Sequence, residues 1–381
     1  MTEILTADVL FLIGVLDGKA RVVGGAVRDA LLGIPVNDID MATELTPNIV
    51  LQRLHRAGIR TMTAGIEHGT VMAIVNHKPY EITTLRTDIH TDGRHADVTF
   101  TDSYEQDARR RDFTINALYM DKNGKIYDYV GGQADLTARL VRFIGKACDR
   151  VQEDYLRILR YFRFWGKMGC GPIDSSALQA CQTFADKLTH ISGERKRYEF
   201  FAILSLPECD KILTLMEQAS VLHHILPTAN IRALSALISV CPTIGIEEKL
   251  AVLTQNTPVH LILSKGQKKL LSAFNQCVTL SSDLIRERLQ LFHMGVRVYH
   301  FHIYRALSTG HITKSLAKSL LALRMPIFPV RGQDFIDLGY PTGPAIKKCL
   351  KNAENIWAKN GFSDNKELVL NQFLMYNNKK G

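Results

Sequence analysis

The fold of this chain is decided by the stretch VVGGAVRDALLGIPVNDID at residues 22–40. Its apolar start predicts a short β-strand and residues 27–32 predict a helix, with Gly24 and Gly25 between the two elements. Paired glycines at that place let backbone N–H groups approach a phosphate at the positive end of the helix. Arg28, one turn into the helix, can donate a charge-assisted hydrogen bond to the same phosphate. Since the stretch contains neither Gly-Lys-Ser/Thr nor Gly-x-Gly-x-x-Gly, a Walker loop and a dinucleotide-binding turn are excluded.

Two acidic residues, Asp38 and Asp40, end this stretch. Their i, i+2 spacing on the strand predicted at residues 39–42 would place both carboxylates on one face. Two hard oxygen ligands on a rigid face suit Mg²⁺, which completes its coordination with water and substrate phosphates. The structural alternative is an Asp-x-Asp turn that caps the next element, but the preceding Gly-Gly-x-x-Arg favours a metal site.

A second cluster, RRRDFTINA, occupies residues 109–117. The three arginines lead into an apolar segment, so we expect at least one guanidinium to point inward to a bound anion. Asp112 can serve either as a third metal-binding carboxylate or as a residue that orients an arginine. Glu81, on a predicted strand, is an equal candidate for the third ligand, and the sequence leaves both open.

A third cluster, QEDYLRILRYFRF, occupies residues 152–164 and predicts an amphipathic helix. A charged residue recurs at every third position, which gives a skewed stripe opposite the apolar face because an α-helix has 3.6 residues per turn. The stripe consists of Asp154, Arg157, Arg160 and Arg163. Asp154 and Arg157 are neighbours that can engage one planar ligand, whereas Arg163 has drifted about half a turn away. An i, i+3 ion pair on a solvated helix face is the structural alternative.

The N-terminal part, up to about residue 145, mixes strands and helices. Apolar runs at 71–75 and 81–85 predict two strands joined by the turn Asn-His-Lys-Pro. A helix is predicted at 47–57, with Thr at the N-cap and Pro at the first helical position. Residues 87–99 are polar, and we expect a mobile loop there.

From Arg150 onward, apolar residues recur at helical spacing, as in the runs at 151–165 and 284–292. We therefore expect the rest of the chain to be all-helical and the fold class to be α+β. The length of 381 residues suffices for two to three domains.

Composition and charge narrow the class of protein. Apolar residues make up 46% and charged residues 22% of the chain, which excludes a wholly disordered, collagen-like or coiled-coil protein. Lysine and arginine number 47 against 38 acidic residues, and the net charge of +9 favours a polyanionic partner such as nucleic acid. The N-terminus is acidic, and the apolar run at 9–16 is far shorter than the roughly 18 residues of a membrane span. These features predict a soluble, cytoplasmic protein with no membrane partner.

Taken together, the three clusters resemble those of the class II tRNA nucleotidyltransferases, the CCA-adding enzymes of bacteria and eukaryotes, and of the related bacterial poly(A) polymerases. The resemblance covers about the first 205 residues, through ISGER at 191–195, and only loosely the helical remainder. It implies a polymerase-β-like nucleotidyltransferase head at 1–145, a helical neck with a nucleobase-reading helix at 146–210, and a helical body and tail at 211–381.

The same resemblance implies roles for the residues of these clusters. Asp38 and Asp40 would be the catalytic, Mg²⁺-binding carboxylates, with Glu81 as a candidate third metal ligand. Asp154 and Arg157 would present a Watson–Crick-like edge to the incoming base. The implied nucleotide-binding residues are Gly25, Arg28, Arg111, Asp112, Asp154, Arg157, Arg160 and Arg163.

The implied activity is the template-independent addition of C, C and A to the 3′ end of tRNA, and the repair of that end, from CTP and ATP by two-metal nucleotidyl transfer. The partner would be the acceptor arm of tRNA, bound by a monomer or a homodimer. The segments GIEHGTV at 65–71 and TDGRHA at 91–96 resemble CCA-adding enzymes more than poly(A) polymerases. A poly(A) polymerase or a partial CC- or A-adding enzyme is the alternative. A non-catalytic RNA-binding protein on the same scaffold is disfavoured because both aspartates are present.

Overall fold

The computed structural model describes residues 4–36, 38–63, 65–91, 96–255, 257 and 261–378. The chain forms two compact units, of which the first runs to Ala229 and the second begins at Asn230; the short segment that ends at Ile262 also belongs to the first. The expected division into head, neck and body at residues 145 and 210 stays a prediction. None of the helices in the described ranges is both long and apolar enough to span a membrane.

The described part of the first unit contains nine strands. They are β1 (Ala20–Val23), β2 (Asp40–Thr43), β3 (Arg60–Met62), β4 (Thr70–Val75), β5 (Lys78–Thr84), β6 (Arg86–Thr91), β7 (Ala96–Phe100), β8 (Leu118–Met120) and β9 (Ile126–Asp128). Seven form one sheet in the order β3-β4-β5-β2-β1-β8-β9, and β6 pairs with β7 separately. β2 runs antiparallel to β1, with Val23 opposite Asp40, and parallel to β5, with Asp40 opposite Glu81. This order places Asp40 beside Glu81 near the middle of the sheet.

The α-helices in the described residues continue the chain around and beyond these strands. Those of the first unit are α1 (Ala7–Val15), α2 (Gly25–Leu31), α3 (Pro47–Arg56), α4 (Tyr104–Arg110), α5 (Gly132–Thr137), α6 (Ala147–Glu153), α7 (Leu156–Lys167), α8 (Ser175–Thr183), α9 (Gly193–Leu204) and α10 (Cys209–Gln218). Those of the second are α11 (Ile231–Val240), α12 (Ile246–Thr254), α13 (Lys265–Phe274), α14 (Leu284–Met294), α15 (Val296–Ser308), α16 (Lys314–Leu321), α17 (Gly332–Asp337), α18 (Pro344–Lys359) and α19 (Lys366–Asn378). After β9 the described residues form no further strand, which confirms the predicted α+β class.

The second unit is built around aromatic residues. One apolar cluster surrounds the buried Trp357 and Phe373, and another surrounds Tyr299 and Leu291. The Tyr299 hydroxyl donates a hydrogen bond of 2.8 Å to the buried carboxylate of Glu287. Helix faces that are apolar at helical spacing therefore pack against one another here, as the sequence predicted.

The stretch that decides the fold adopts the predicted strand, turn and helix, but the helix begins two residues before its predicted start. β1 ends at Val23 and α2 begins at Gly25. Between them Gly24 has a φ of +70°, and a Cβ atom there would lie 3.5 Å from Nη1 of Arg111. The positive φ of the turn therefore favours glycine here, whereas the arginine would be in ordinary van der Waals contact with a Cβ atom.

The predicted hairpin between β4 and β5 is present, but its turn is shorter than expected. Asn76 and His77 have φ values of +50° and +62°, and Val75 pairs directly with Lys78. Positive φ at both central residues is the type I′ geometry, whose twist matches that of the strands. Lys78 and Pro79, which the sequence predicts in the turn, therefore belong to β5.

The expectation of a loop at residues 87–99 is wrong for the described positions. β6 and β7 form an antiparallel ribbon in which Arg86 lies opposite Phe100 and Thr91 lies opposite Ala96. Strand pairing satisfies backbone N–H and C=O groups whatever the side chains are, so polar composition alone does not exclude it. The residues 92–95 of the expected loop lie outside the described residues.

The expectation that Asp38 and Asp40 share a strand face is also wrong. β2 begins at Asp40, and Asp38 precedes it. The reason lies in the partner strand, because β1 ends at Val23, opposite Asp40, and the chain turns away at Gly24. Asp38 therefore has no residue of β1 to pair with.

The helix predicted through residues 151–165 is interrupted. α6 ends at Glu153 and α7 begins at Leu156, and between them Asp154 is extended, with φ −155° and ψ 106°. The Asp154 carboxylate accepts a hydrogen bond from the backbone N–H of Leu156. Aspartate commonly favours such a local bond over a place inside a helix. The predicted apolar face is confirmed, since Ile158 and Phe162 are fully buried.

A buried carboxylate, Asp107, joins α4 to the sheet. Its side chain is 1% exposed, and it accepts hydrogen bonds from Arg110 at 2.8 Å, from Arg111 at 2.9 Å and from the Tyr119 hydroxyl at 2.7 Å. Burial alone would raise the pKa of Asp107, but Arg111 and Arg110 outweigh it and lower this pKa to about 2. The charged form of Asp107 therefore stabilises the folded state.

We predict that this stabilisation is lost in acid. Because the folded pKa of about 2 lies below the ordinary value of 3.8, the contribution is complete above about pH 4 and disappears as the pH falls toward 2. The difference in free energy of unfolding between the wild type and Asp107→Asn should shrink by on the order of 2 kcal/mol over that range. Urea unfolding at a series of pH values measures it, with the exposed Asp149→Asn as the control substitution. A difference that does not change with pH would contradict the assignment.

Candidate active site

An open cleft of about 500 Å³ in the first unit brings the three sequence clusters together. The predicted site residues that line it are Gly25, Arg28, Asp40, Arg111, Asp112, Asp154, Arg157, Arg160 and Arg163. Lining residues outside the predicted set are Gly24, Arg110, Asn116, Leu156, Phe164, Lys167 and Arg195. Asp38 and Glu81 act on Asp40 electrostatically and are not part of this lining.

Asp40 stands at the start of β2 among other acids. Glu81 is its register partner on β5, and Asp38 lies two residues before it. Asp40 is exposed to the cleft, but the protein around it displaces water and raises its pKa; the charges of Glu81 and Asp38 raise it further, while the Arg111 guanidinium acts in the opposite direction. The protein therefore leaves negative charge incompletely neutralised here, which is an environment that favours a bound cation.

The donor chemistry at Asp40 fits a hard divalent cation, which prefers carboxylate oxygens. Among the described residues, no three acidic, histidine or cysteine side chains converge closely enough to hold a metal by themselves. Mg²⁺ commonly binds one or two carboxylates and takes its other ligands from water and substrate phosphates. Of the two acids left open as a third ligand, Glu81 is the one that lies beside Asp40.

Asp112 orients an arginine. Its carboxylate is buried and accepts hydrogen bonds from Nε of Arg160 at 2.8 Å, from the Asn116 amide at 3.0 Å and from the backbone N–H of Phe113 at 2.8 Å. Burial opposes ionisation, but Arg160 outweighs it and lowers the pKa of Asp112. The carboxylate is therefore charged and is committed to fixing Arg160 against the cleft.

Arg28 is almost fully enclosed at the start of α2, with 4% of it exposed. It donates to the Asn116 side-chain oxygen at 2.5 Å and to Asp29 at 2.8 Å, and its guanidinium lies 4.9 Å from the ring centre of Phe164. A Cβ atom on Gly25 would come within 3.6 Å of Nη2 of Arg28. The backbone at Gly25, the first residue of α2, therefore lies next to this guanidinium at an ordinary contact distance.

The arginine cluster at 109–111 divides between solvent and cleft. Arg109 pairs with the exposed Glu105 at 2.7 Å, whereas Arg110 and Arg111 turn inward to Asp107. Burial acts to lower the pKa of Arg111, but the Asp107 charge outweighs it, so that pKa is raised and the arginine stays charged. Two of the three guanidinium groups therefore point inward, as the sequence predicts, and they pair with Asp107; their contact with a bound anion stays a prediction.

Asp154 and Arg157 do not pair with each other. The Asp154 carboxylate accepts a hydrogen bond from Arg195 of α9 at 2.7 Å. Arg157 donates to Glu153 at 2.6 Å and to the backbone carbonyl of Arg150 at 2.9 Å. Both groups are therefore held by separate partners at the rim of the cleft.

Four carboxylates around the cleft each serve two cations, and we call them the shared carboxylates. They are Asp29 (with Arg28 and Lys167), Asp107 (with Arg110 and Arg111), Glu153 (with Arg150 and Arg157) and Glu199 (with Arg163 and Arg160). The groups at Asp29, Asp107 and Glu153 each contain one positive charge more than the carboxylate neutralises, whereas at Glu199 the second cation, Arg160, is also paired with Asp112. The arrangement therefore holds guanidinium and ammonium groups in place while it leaves the cleft electropositive, which suits a polyanionic ligand.

Some of these residues were missed from the sequence. Lys167 follows Arg163 by four residues on the same helix, so the helical period could have found it. Arg195 and Glu199 lie on α9, and Asp107 lies within a polar stretch, where local pattern gives no sign of their partners. They act through contacts between elements that are distant along the chain.

Comparison with known proteins identifies the family. Residues 20–142 match the model described as the Poly A polymerase head domain, and residues 172–234 match one described as a probable RNA and SrmB-binding site of polymerase A. The CCA tRNA nucleotidyltransferase 1, mitochondrial, of Mus musculus is 33% identical over 378 residues, covering 92% of this chain and 86% of that protein. The human protein of the same name gives the same values. A CCA-adding enzyme of Streptococcus pyogenes is 42% identical over 200 residues, covering 52% of this chain and 48% of its own.

Solved structures agree with this likeness. The crystal structure of the Bacillus stearothermophilus CCA-adding enzyme in complex with CTP is 26% identical, with a TM-score of 0.71 over 100% of this chain and 99% of the other. The Thermotoga maritima CCA-adding enzyme complexed with tRNA, 21% identical with a TM-score of 0.65 over 98% of both chains, shares the fold. The chain therefore belongs to the CCA-adding tRNA nucleotidyltransferase family.

Proposed function

We propose that the cleft of the first unit is the site at which this nucleotidyltransferase binds CTP and ATP and transfers C, C and A in turn to the 3′ end of tRNA. The observation that carries this assignment is that nine predicted site residues from three separate segments line one cleft. The same reaction would repair tRNA that has lost its terminal nucleotides.

The triphosphate binds at the electropositive side of the cleft. The N–H groups of the turn at Gly25 and the guanidinium groups of Arg28 and Arg111 can donate to its oxygens. Because Asp29 and Asp107 already fix these arginines, little side-chain freedom is lost when the nucleotide arrives. Arg160, fixed by Asp112, adds a further donor from α7.

The metal would be Mg²⁺, in the two-metal arrangement expected from the sequence, and Asp38 and Asp40 would hold it, with Glu81 as the neighbouring third acid. When bound, it supplies positive charge to the attacking 3′ hydroxyl of tRNA and to the leaving pyrophosphate. The pKa of Asp40 is raised first by desolvation and then by the charges of Glu81 and Asp38, and the carboxylates beside Asp40 are the part of this environment that a cation would offset. Arg111, which acts on the same carboxylate, keeps the triphosphate next to it.

Asp154 and Arg157 read the base. The carboxylate accepts a hydrogen bond from the exocyclic amine that both C and A carry, and the arginine donates to the neighbouring ring nitrogen or carbonyl. Uracil and guanine present a carbonyl at the position of that amine, so buried polar groups would be left unpaired. Arg195 holds Asp154 and Glu153 holds Arg157, so that the two base-reading side chains do not pair with each other. This arrangement supports their proposed role.

The remaining assignments follow the sequence. The acceptor arm of tRNA is bound by the helical body and tail through its shape and phosphates, by a monomer or a homodimer. The reaction takes place in the cytoplasm, although the two similar animal proteins carry the word mitochondrial in their names.

The product length tests the function. We expect purified protein with Mg²⁺ and tRNA lacking its 3′ end to add two residues from CTP alone and three from CTP with ATP. A long ladder from ATP alone would instead indicate a poly(A) polymerase, and no extension would indicate an RNA-binding protein. Single-nucleotide gel resolution distinguishes the three results.

Replacing Asp40 tests the metal site. Asp40→Asn keeps the size of the side chain but removes the charge, so we expect incorporation of both CTP and ATP to fall by about a thousandfold while tRNA still binds. The exposed Asp102→Asn is the matched control and should retain full activity. Turnover by Asp40→Asn near the wild-type rate would refute the assignment.

Replacing Asp154 tests base reading. An amide can donate to the carbonyl of uracil, so Asp154→Asn should raise the use of UTP relative to CTP by about tenfold or more. Competition among all four nucleotides in one reaction measures this preference, with the exposed Asp186→Asn as control. An unchanged preference would rule out a base-reading role for this carboxylate.

A further inference from the structure

Lys167 is a cation in the cleft that has no role in the proposed function. It is the last residue of α7, it lines the cleft, and its side chain is 30% exposed. Its Nζ lies 2.7 Å from Oδ2 of Asp29, whose other oxygen accepts from Arg28. The lysine therefore sits beside the helix that begins at the Gly-Gly turn.

Helical geometry places Lys167 on the arginine stripe. Seven residues along an α-helix fall about 20° short of two full turns, so Lys167 returns to the face of Arg160. Arg163 lies between them, four residues before Lys167. The guanidinium groups of Arg160 and Arg163 lie 5.3 Å and 4.6 Å from the ring centre of Phe164. The stripe thus runs from Arg157 at the base-reading end to Lys167 beside Arg28.

A lysine at the end of a helix, paired with an aspartate, can be purely structural, because a cation there interacts favourably with the helix dipole. Two observations point to a ligand instead. Asp29 is already engaged by Arg28, so the second cation leaves an excess of positive charge at that point. The ammonium group also has three N–H donors, and the contact with Asp29 uses one of them.

We propose that Lys167 is a phosphate-binding residue that donates from Nζ to the triphosphate of the incoming CTP or ATP while it keeps its ion pair with Asp29. This inference rests on the proposed function of the cleft. Since the triphosphate is common to both nucleotides, Lys167 contributes equally to both and has no part in the choice of base.

Steady-state kinetics with three variants test the proposal. Lys167→Gln should raise KM for CTP and for ATP by about tenfold each, leave kcat within about twofold and leave the four-nucleotide preference unchanged. Lys167→Arg, which keeps the charge, should restore most of the affinity. Lys187→Gln is the matched control, since Lys187 pairs with Asp186 at 3.0 Å on the surface and is not among the residues that line the cleft. Inorganic tripolyphosphate, used as a competitive inhibitor, should lose affinity for Lys167→Gln by a similar factor.

The outcomes distinguish an error in the role of Lys167 from an error in the proposed function of the cleft. Unchanged KM for CTP and ATP in Lys167→Gln would overturn the phosphate-binding role, as would a rise in KM for tRNA alone, which would place the lysine on the RNA backbone. If Lys167→Gln fails to fold, the tripolyphosphate affinity of Lys167→Arg decides, and an affinity far below that of the wild type would also overturn the proposal. Absence of nucleotide addition by the wild type would refute the function of the cleft itself and is seen before any variant is made.

Discussion

A carboxylate held between two cations is the interaction on which the first unit depends. An ion pair in a partly buried place adds little net stability, because the cost of desolvation offsets the attraction between the charges. Removing one partner of a fully buried pair is far more costly, by about 3–5 kcal/mol, because it leaves a charge uncompensated. The main effect of the shared carboxylates is therefore on the positions of the cationic side chains. They fix each guanidinium or ammonium group in one position without cancelling its charge.

The same contacts tie together elements that are distant along the chain. Asp29 and Lys167 are separated by 138 positions, Asp112 and Arg160 by 48, and Asp154 and Arg195 by 41. Through them the start of α2, the end of α4 and the two helices α7 and α9 surround one cleft. The positions of the charges in the cleft are thus set by the tertiary fold. The net positive charge of the chain predicts only that the ligand is an anion.

Local features of the fold and site could be read from the sequence because they depend on neighbouring residues. The Gly-Gly turn, the start of α3 and the apolar face of α7 are of this kind, and all are confirmed. Features that depend on a distant partner could not be read in the same way. From the sequence, Asp112 could be a third metal ligand or a residue that orients an arginine, and its contact with Arg160 favours the second role. Similarly, β6 and β7 are stabilised by pairing with each other, and the polar composition of the stretch gives no sign of that pairing.

Because Asp154 is extended between α6 and α7, the two proposed base-reading groups, Asp154 and Arg157, do not lie on one helix. Arg157 is carried by the first turn of a helix whose apolar face is fully buried, so its direction is fixed with that helix. Asp154 stands on backbone outside both helices, and its direction is set by Arg195 from a third. A pyrimidine and a purine present the same amine at different distances from the sugar. The two groups proposed to meet these amines are therefore positioned by different elements, so a change that displaces Asp154 need not displace Arg157.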